Sequence, residues 1–249
     1  MKSLLCSALL LLAFAANAQA PTAVPIPKEP HHHLVLENEY VRVFRVSVPA
    51  HEATLLHQHD VPYVYVALGA ADVINAVQGK PEAHLTMADG QLGYSPGHFA
   101  HIARNESAAP FNNVTIELLH PQGEPRNLCQ KIIDAPLGAC HAEHASSASL
   151  DVKRIPVFET DKVRVDLVQI GSRNFSLGSV PKLSRLLVAL TGASLEVEVG
   201  GQPALSIRPG ETIWLPAGVT SRISAATNFS VGSSYLLLDF KDGAASVRP

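Results

Sequence analysis

The feature that most constrains the fold of this 249-residue chain is an internal repeat. Three segments of the first half recur in the same order in the second half, with an offset of about 120 residues, a period far longer than that of solenoid repeats. The paired segments are Leu36–Val46 with Phe158–Val168, Val64–Val73 with Leu186–Val197, and Asp89–Ile102 with Pro209–Ile223. Because this period is close to the usual size of a domain, the repeat predicts two copies of one domain.

Short apolar runs make up both copies. Examples are YVRVFRVSV, NVTIELL, VRVDLVQI and SYLLLDF, and Gly, Pro, Asn and Asp separate such runs. Helical periodicity is nearly absent after the first 18 residues. Regularly spaced short strands are typical of an all-β sandwich or barrel. We therefore predict one domain over residues 34–120 and a second over 154–241, joined by a linker at 121–153.

The N-terminus has the features of a secretory signal. Lys2 precedes the apolar run LLCSALLLLAFAA, and the small residues Ala16 and Ala18 predict cleavage after Ala18. Residues 1–18 are thus a predicted signal peptide. The mature chain is expected to be secreted or periplasmic and to lie outside the membrane. Residues 19–33 form a Pro-rich extension, and its HHH run is interpreted as a solvated tract rather than a metal site.

Charge and cysteine content narrow the partners and the compartment. The formal charge is −3, and removal of Lys2 with the signal brings it near −4, which argues against a nucleic-acid partner. In an oxidising compartment an isolated cysteine pair forms a disulfide, so Cys129 and Cys140 are predicted to be bonded. The weaker alternative is metal binding through Cys140, His141 and His144 of CHAEH.

Three histidines have the spacing of a metal site. His57 and His59, in HQHD, are two residues apart in a predicted strand, so their side chains share a face. His101 follows a Pro96–Gly97 turn, which can set the direction of a second strand. Three imidazoles brought together in this way leave coordination positions open for water, substrate or dioxygen. Neutral imidazole suits Zn, Fe, Ni and Cu, and Mn less specifically.

This pattern resembles the two-part signature of the cupin superfamily. The H-x-H pair of "HQH" and the G-x5-P-x4-H-x3-N form of "GQLGYSPGHFAHIARN" carry the resemblance, which extends over most of each half. It implies an all-β fold of two tandem cupin-type jelly-roll β-barrels, that is, an exported bicupin. It also implies one divalent transition metal (Fe, Mn, Zn, Ni or Cu) held by His57, His59 and His101 in the first barrel.

The chain departs from the family pattern at the expected glutamate. Tyr63 occupies that position, so Tyr63 and Tyr65 are the candidate catalytic residues, expected to hydrogen-bond to a bound substrate or oxygen. Asp60 and His98 remain alternatives for a fourth ligand. In the second half every ligand position is lost. Ser179, Pro181, Arg185 and Ser221 stand at the places of His57, His59, Tyr63 and His101, and Arg185 with Ser221 either lines an anion cavity or faces the surface.

Three functions remain open on the sequence alone. The first is a metal-dependent oxidoreductase of dioxygenase type, or less favourably an isomerase or lyase, acting on a small molecule. The second is a non-catalytic cupin that binds a small molecule or a metal. The third is a metal-free structural or interaction protein. Because paired barrels associate through sheet edges, a homodimer is a further expectation.

Overall fold

The computed structural model describes residues 22–138, 140, 143–144, 152–170, 182–190, 192, 194–225 and 233–241. The predicted signal peptide and its cleavage point lie outside these ranges. Within the described residues, no helix combines the length and the apolar character needed to cross a membrane. Apart from one 3-10 turn at Ile26–Lys28, the regular elements described are all strands.

Ten strands form the first half. They are β1 Val24–Pro25, β2 His32–Glu37, β3 Val41–Val48, β4 His57–His59, β5 Tyr63–Ala67, β6 Ala71–Val77, β7 Ala83–Met87, β8 Leu92–Ser95, β9 Phe99–Asn105 and β10 Phe111–Leu118. One sheet has the order β1-β4-β9-β6-β7 and the other β2-β3-β10-β5-β8. Buried residues of both sheets, among them Phe44, Val46, Val73 and Met87, form one core between them. We call this unit the first sandwich.

The second half repeats the arrangement. Its strands are β11 Arg126–Asn127, β12 Glu143–His144, β13 Val152–Glu159, β14 Val163–Ile170, β15 Ser184–Ala189, β16 Leu195–Val199, β17 Leu205–Ile207, β18 Thr212–Leu215, β19 Ser221–Ala225 and β20 Ser233–Phe240. The larger sheet runs β11-β13-β14-β20-β15-β18, with β12 on β13, and the smaller runs β17-β16-β19. Strands β13–β20 form the second sandwich, so the predicted all-β fold with two similar units is confirmed.

The repeat holds at the level of strand register. Strand β14 begins 122 residues after β3, and β20 begins 122 residues after β10. The β2–β3 ladder shifts register between Leu34 and Leu36, and the β13–β14 ladder shifts between Pro156 and Phe158, at the equivalent place. Residues in the two sandwiches can therefore be compared position by position along these strands.

The two sandwiches pack through a shared apolar layer. Alternate residues of a strand face opposite sides of its sheet. In β10, Val114 and Ile116 face the neighbouring sandwich, where they join a core that also contains Val165 and Leu236. Phe111, Asn113 and Thr115 line the interior of the first sandwich instead. The interior of each sandwich is thus separate from the layer that joins them.

The extension before the first sandwich is part of the fold. Strand β1 pairs in parallel with β4, and β2 begins at His32, two residues before the predicted domain start. His32 is 8% exposed, whereas His33 is exposed. The interpretation of the HHH run as solvated is therefore wrong for His32. The physical reason is that the buried Glu29 carboxylate accepts a hydrogen bond from the His32 ring.

The predicted disulfide is present in the linker. The Cα atoms of Cys129 and Cys140 lie 4.6 Å apart and the sulfurs are bonded, within the range of normal disulfides. Nearby, the buried Asn127 side chain accepts hydrogen bonds from the backbone N–H groups of Ile132 and Ile133. Local side-chain bonding of this kind gives the linker its own structure.

Candidate metal centre

The three predicted ligands converge through one pair of strands. Strands β4 and β9 are antiparallel, and His57 lies directly opposite His101. In β4, His57 and His59 are both buried while Gln58 between them is less so. The ring centroids of His57 and His101 are 4.4 Å apart, and the His59 ring is 5.1 Å from each of them. The alternation expected from H-x-H places His57 and His59 on one face, and the pairing of β4 with β9 brings His101 beside them.

The outer hydrogen bonds of these rings fix which nitrogen faces the interior. His57 Nδ1 donates to the Leu55 carbonyl at 2.9 Å, and His101 Nδ1 donates to Asn75 Oδ1 at 2.6 Å. Their Nε2 atoms, together with Nδ1 of His59, are buried and have no hydrogen-bond partner in the part of the chain that the structure describes. Buried imidazole nitrogens are normally satisfied. Unpartnered nitrogens beside one another fit a metal-ligand set, and in His57 and His101 a carbonyl or amide oxygen holds the other ring nitrogen.

A fourth imidazole adjoins this group. His32 lies on β2, and its ring centroid is 4.7 Å from that of His57. One ligand atom each from His32, His57 and His59 lies within 4.8 Å of the others. The sequence interpretation did not include His32 because the HHH run was interpreted as a solvated tract. Extension of the repeat alignment by four residues would have placed His32 in a strand.

Burial lowers the pKa of the three predicted ligands. Desolvation, reinforced by the neighbouring histidines, lowers the pKa of His57 to about 4, of His59 to about 2 and of His101 to about 3. The rings are therefore neutral at physiological pH. A neutral imidazole offers a free lone pair, which is the form that binds a metal ion.

The two tyrosines have different positions in the site. The Tyr63 ring stacks on His59 with centroids 4.2 Å apart, and its hydroxyl is hydrogen-bonded to Ser95. Tyr65 packs over Gly93, its cross-strand partner, where a Cβ atom would come within 2.2 Å of the Tyr65 ring. Burial raises the pKa of both tyrosines, so both hydroxyls stay protonated.

A small cavity of about 90 Å³ opens beside the imidazoles. Six apolar side chains and ten histidine, tyrosine, threonine or asparagine side chains line it. The lining consists of His32, Val46, Thr54, His57, His59, Tyr63, Tyr65, Val73, Asn75, Leu85, Met87, His101, Ala103, Phe111, Asn113 and Thr115. Neither Asp60 nor His98 belongs to it. Both are exposed, and His98 lies on the turn with φ 61°, directly after Gly97.

In the second sandwich, charged side chains occupy the equivalent interior. Arg185 Nε lies 2.7 Å from Asp239 Oδ1, in a close ion pair that is not aligned as a hydrogen bond. Arg154 bridges Asp239 and Asp166. The Arg185 side chain is only 14% exposed, so the expectation of a surface-facing arginine is wrong. Its pairing with Asp239 also disfavours an anion site, while Ser221 is buried and Ser179 and Pro181 lie outside the described residues.

Comparison with known proteins identifies the fold. No family model and no curated protein sequence matches the chain. Solved structures do match. AerE from Microcystis aeruginosa superposes with a TM-score of 0.58 at 10% identity, covering 86% of this chain and 99% of its own. Salicylate 1,2-dioxygenase from Pseudaminobacter salicylatoxidans gives 0.53 at 12% identity, covering 83% and 75%. The vicilin from Solanum melongena gives 0.54 at 12% identity, covering 83% and 76%.

At such low identities these likenesses show the fold. The matched structures are cupin-fold proteins, and the matches extend over both sandwiches of this chain. The chain therefore has the cupin fold in its two-domain form, as the motif resemblance implied.

Proposed function

We propose that the protein is an exported cupin that holds one divalent transition metal in its first sandwich and acts on a small molecule there as a dioxygenase-type enzyme. His57, His59 and His101 would be ligands. The observation that carries the proposal is the set of buried ring nitrogens beside the cavity that have no hydrogen-bond partner among the described residues. Neighbouring neutral imidazoles are a suitable donor set for Fe, Zn, Ni or Cu.

The residues around the ligands have defined tasks in this proposal. Leu55 and Asn75 hold the rings of His57 and His101 in the tautomer that leaves Nε2 free. Tyr63 fixes the ring plane of His59 by stacking. Tyr65, Asn113 and Thr115 line the cavity and can orient a small polar molecule. A bound redox metal would supply activation of dioxygen and of a coordinated substrate.

The size of the cavity favours small substrates. The lining contains no aspartate or glutamate among the described residues. A metal held by neutral ligands keeps its full formal charge, which favours an anionic or chelating molecule. The lack of a carboxylate in the described lining disfavours isomerase or lyase reactions that use a carboxylate for proton transfer. The likeness to a salicylate 1,2-dioxygenase supports the choice of test substrates.

The metal content of untagged protein tests the first part of this proposal. We expect close to one metal ion per chain in the wild type and none in a His57→Ala, His101→Ala double variant. A His84→Ala variant is the control, because His84 has a 60% exposed side chain. Wild-type protein that carries no metal, and takes up none on incubation with Fe²⁺, Mn²⁺, Ni²⁺, Cu²⁺ or Zn²⁺, would overturn the proposal.

Oxygen uptake tests the reaction class. The metal-loaded protein is mixed with catechols, hydroxybenzoates, diketones, flavonols and thiols, and dioxygen consumption is followed with an electrode. Consumption that needs both substrate and His59 would support dioxygenation. The absence of a carboxylate from the cavity favours a second candidate, a cupin that binds its ligand without turnover. Saturable binding of the same compounds without oxygen uptake would select that candidate.

A further inference from the structure

We propose that His32 is a fourth histidine ligand of the metal, held in place by the buried carboxylate of Glu29. This inference rests on the proposed function and adds a ligand that the cupin motif does not contain. The ligand lies at the start of β2, before the predicted domain boundary at residue 34. It would take the place of the glutamate ligand that the cupin motif has at the position of Tyr63.

The position of His32 is the first observation. A ring nitrogen of His32 lies within 4.8 Å of ligand atoms of both His57 and His59. This distance allows one ion to be bound by all three, because metal–nitrogen bonds of about 2.0–2.1 Å place ligand atoms on one ion 3–4 Å apart after small adjustments. The His32 side chain is 5% exposed and lines the same cavity.

The orientation of the ring is the second observation. His32 Nδ1 lies 2.6 Å from Glu29 Oε2, and a carboxylate can only accept, so Nδ1 carries the proton. The remaining nitrogen, Nε2, is then the one with a free lone pair. A carboxylate that accepts from the far nitrogen of a metal-bound histidine is a common support, because it fixes the tautomer and makes the ring a stronger donor.

The environment of Glu29 is the third observation. Its side chain is fully buried, and it also accepts hydrogen bonds from the His31 backbone N–H at 2.8 Å and from the Leu55 N–H at 3.1 Å. Leu55 in turn accepts from His57 Nδ1 through its carbonyl. One buried carboxylate thus links His32 to the residue that orients His57.

Cobalt binding tests the proposal without any measurement of activity. Untagged protein is stripped of metal, and the affinity for Co²⁺ is measured by competition with a chelator. We expect His32→Ala to weaken binding at least tenfold and Glu29→Gln to weaken it by roughly 10–100-fold. His33→Ala is the matched control, because His33 adjoins His32 in the same HHH run but is exposed. Its affinity is expected to equal that of the wild type.

A second variant separates coordination from a structural effect. In His32→Cys the new thiolate would bind the metal directly, and the Co²⁺ complex is expected to gain a sulfur-to-cobalt charge-transfer band that His33→Cys lacks. Unchanged Co²⁺ affinity in His32→Ala, or no such band in His32→Cys, would overturn the fourth ligand. If His59→Ala still abolished binding, the proposed function would stand. A wild-type protein that bound no Co²⁺ would overturn both proposals.

Discussion

The two sandwiches of this protein share their strands but differ in what fills them. In the first, buried neutral histidines surround a cavity. In the second, three arginines and two aspartates form a network of ion pairs in the equivalent interior. Because the ladders run in equivalent register, the exchanged positions can be paired directly. They are His32 with Arg154, Phe44 with Asp166 and Tyr63 with Arg185, whereas Glu117 and its equivalent Asp239 are both acidic.

This difference shows that different residues specify the strand framework and the functional site. Strands β3 and β14 each pair with two neighbours in the same order, and their apolar residues on the shared face are equivalent. Only side chains that point into each interior have changed character. Ion pairs in the second copy occupy positions where the first copy has side chains that line a cavity, and the strand order of the larger sheet is the same.

The largest expected effect concerns the paired acids Asp239 and Glu117. Asp239→Ala would leave Arg154 and Arg185 without a shared partner, and we expect the free energy of unfolding to fall by about 3–5 kcal/mol. Glu117→Gln in the first sandwich should cost only about 1 kcal/mol. Burial raises the pKa of Glu117 to about 7, despite Arg42 at 3.0 Å, so its charge is only marginally favoured. Urea unfolding measures both variants.

Equal losses of unfolding free energy in these two variants would contradict a difference in charge pairing between the two interiors. Neither variant alters a proposed metal ligand. Co²⁺ affinity in Asp239→Ala, measured under conditions where the protein remains folded, should therefore stay at the wild-type value.

The next largest expected effect is a pH dependence of the free energy of unfolding that arises in the first sandwich. The pKa of His57 falls from about 6.5 when unfolded to about 4 when folded, so the unfolded chain binds more protons between these values. The metal-free protein should therefore lose stability as the pH falls from 6.5 to 4, by about 3 kcal/mol for His57 alone. Glu29, whose hydrogen bonds to His32, His31 and Leu55 outweigh its burial and lower its pKa to about 2, contributes only below pH 4.5.

Urea unfolding at several pH values checks this dependence. His57→Asn should be less sensitive than the wild type between pH 6.5 and 4, and the difference between the two proteins isolates the titration of the site. Identical pH profiles would contradict the description of His57 as a buried neutral ring.

Loss of the disulfide in the linker is expected to have a smaller effect on stability. Replacement of Cys129 and Cys140 by serine should lower the free energy of unfolding by about 2–3 kcal/mol, because the bond closes a short loop in the unfolded chain. The metal ligands all lie in the first sandwich, so Co²⁺ affinity should not change. A parallel loss of metal affinity would show that the linker supports the site.

The smallest effect concerns the packing of Tyr65. Gly93→Ala places a Cβ atom 2.2 Å from the Tyr65 ring, and the displaced ring should lower stability by about 1–2 kcal/mol. In the second sandwich Leu187 pairs with Ile213 at the equivalent place, so that interior is filled from both strands. A Tyr65→Ala, Gly93→Ala double variant should show a favourable coupling energy. Strictly additive losses would contradict the contact.

Much of this molecule follows from local sequence patterns. The repeat, the short alternating runs and the Gly and Pro positions predicted two all-β units in tandem. The spacing of His57, His59 and His101 placed them correctly on β4 and β9, because side-chain direction in a strand depends only on position along the chain. The disulfide followed from two cysteines and the expected oxidising compartment.

Other parts of the site depended on contacts that spacing does not encode. Nothing in the HHH run shows which histidine is buried, since this depends on the Glu29 carboxylate and on the Leu55 N–H that it accepts from. From its sequence context Arg185 was expected to face the surface or bind an anion. In the structure it pairs with Asp239, which lies on a strand distant in sequence. Local patterns determined the strands and the direction of their side chains. Packing between distant strands decided which polar groups lie together in each interior.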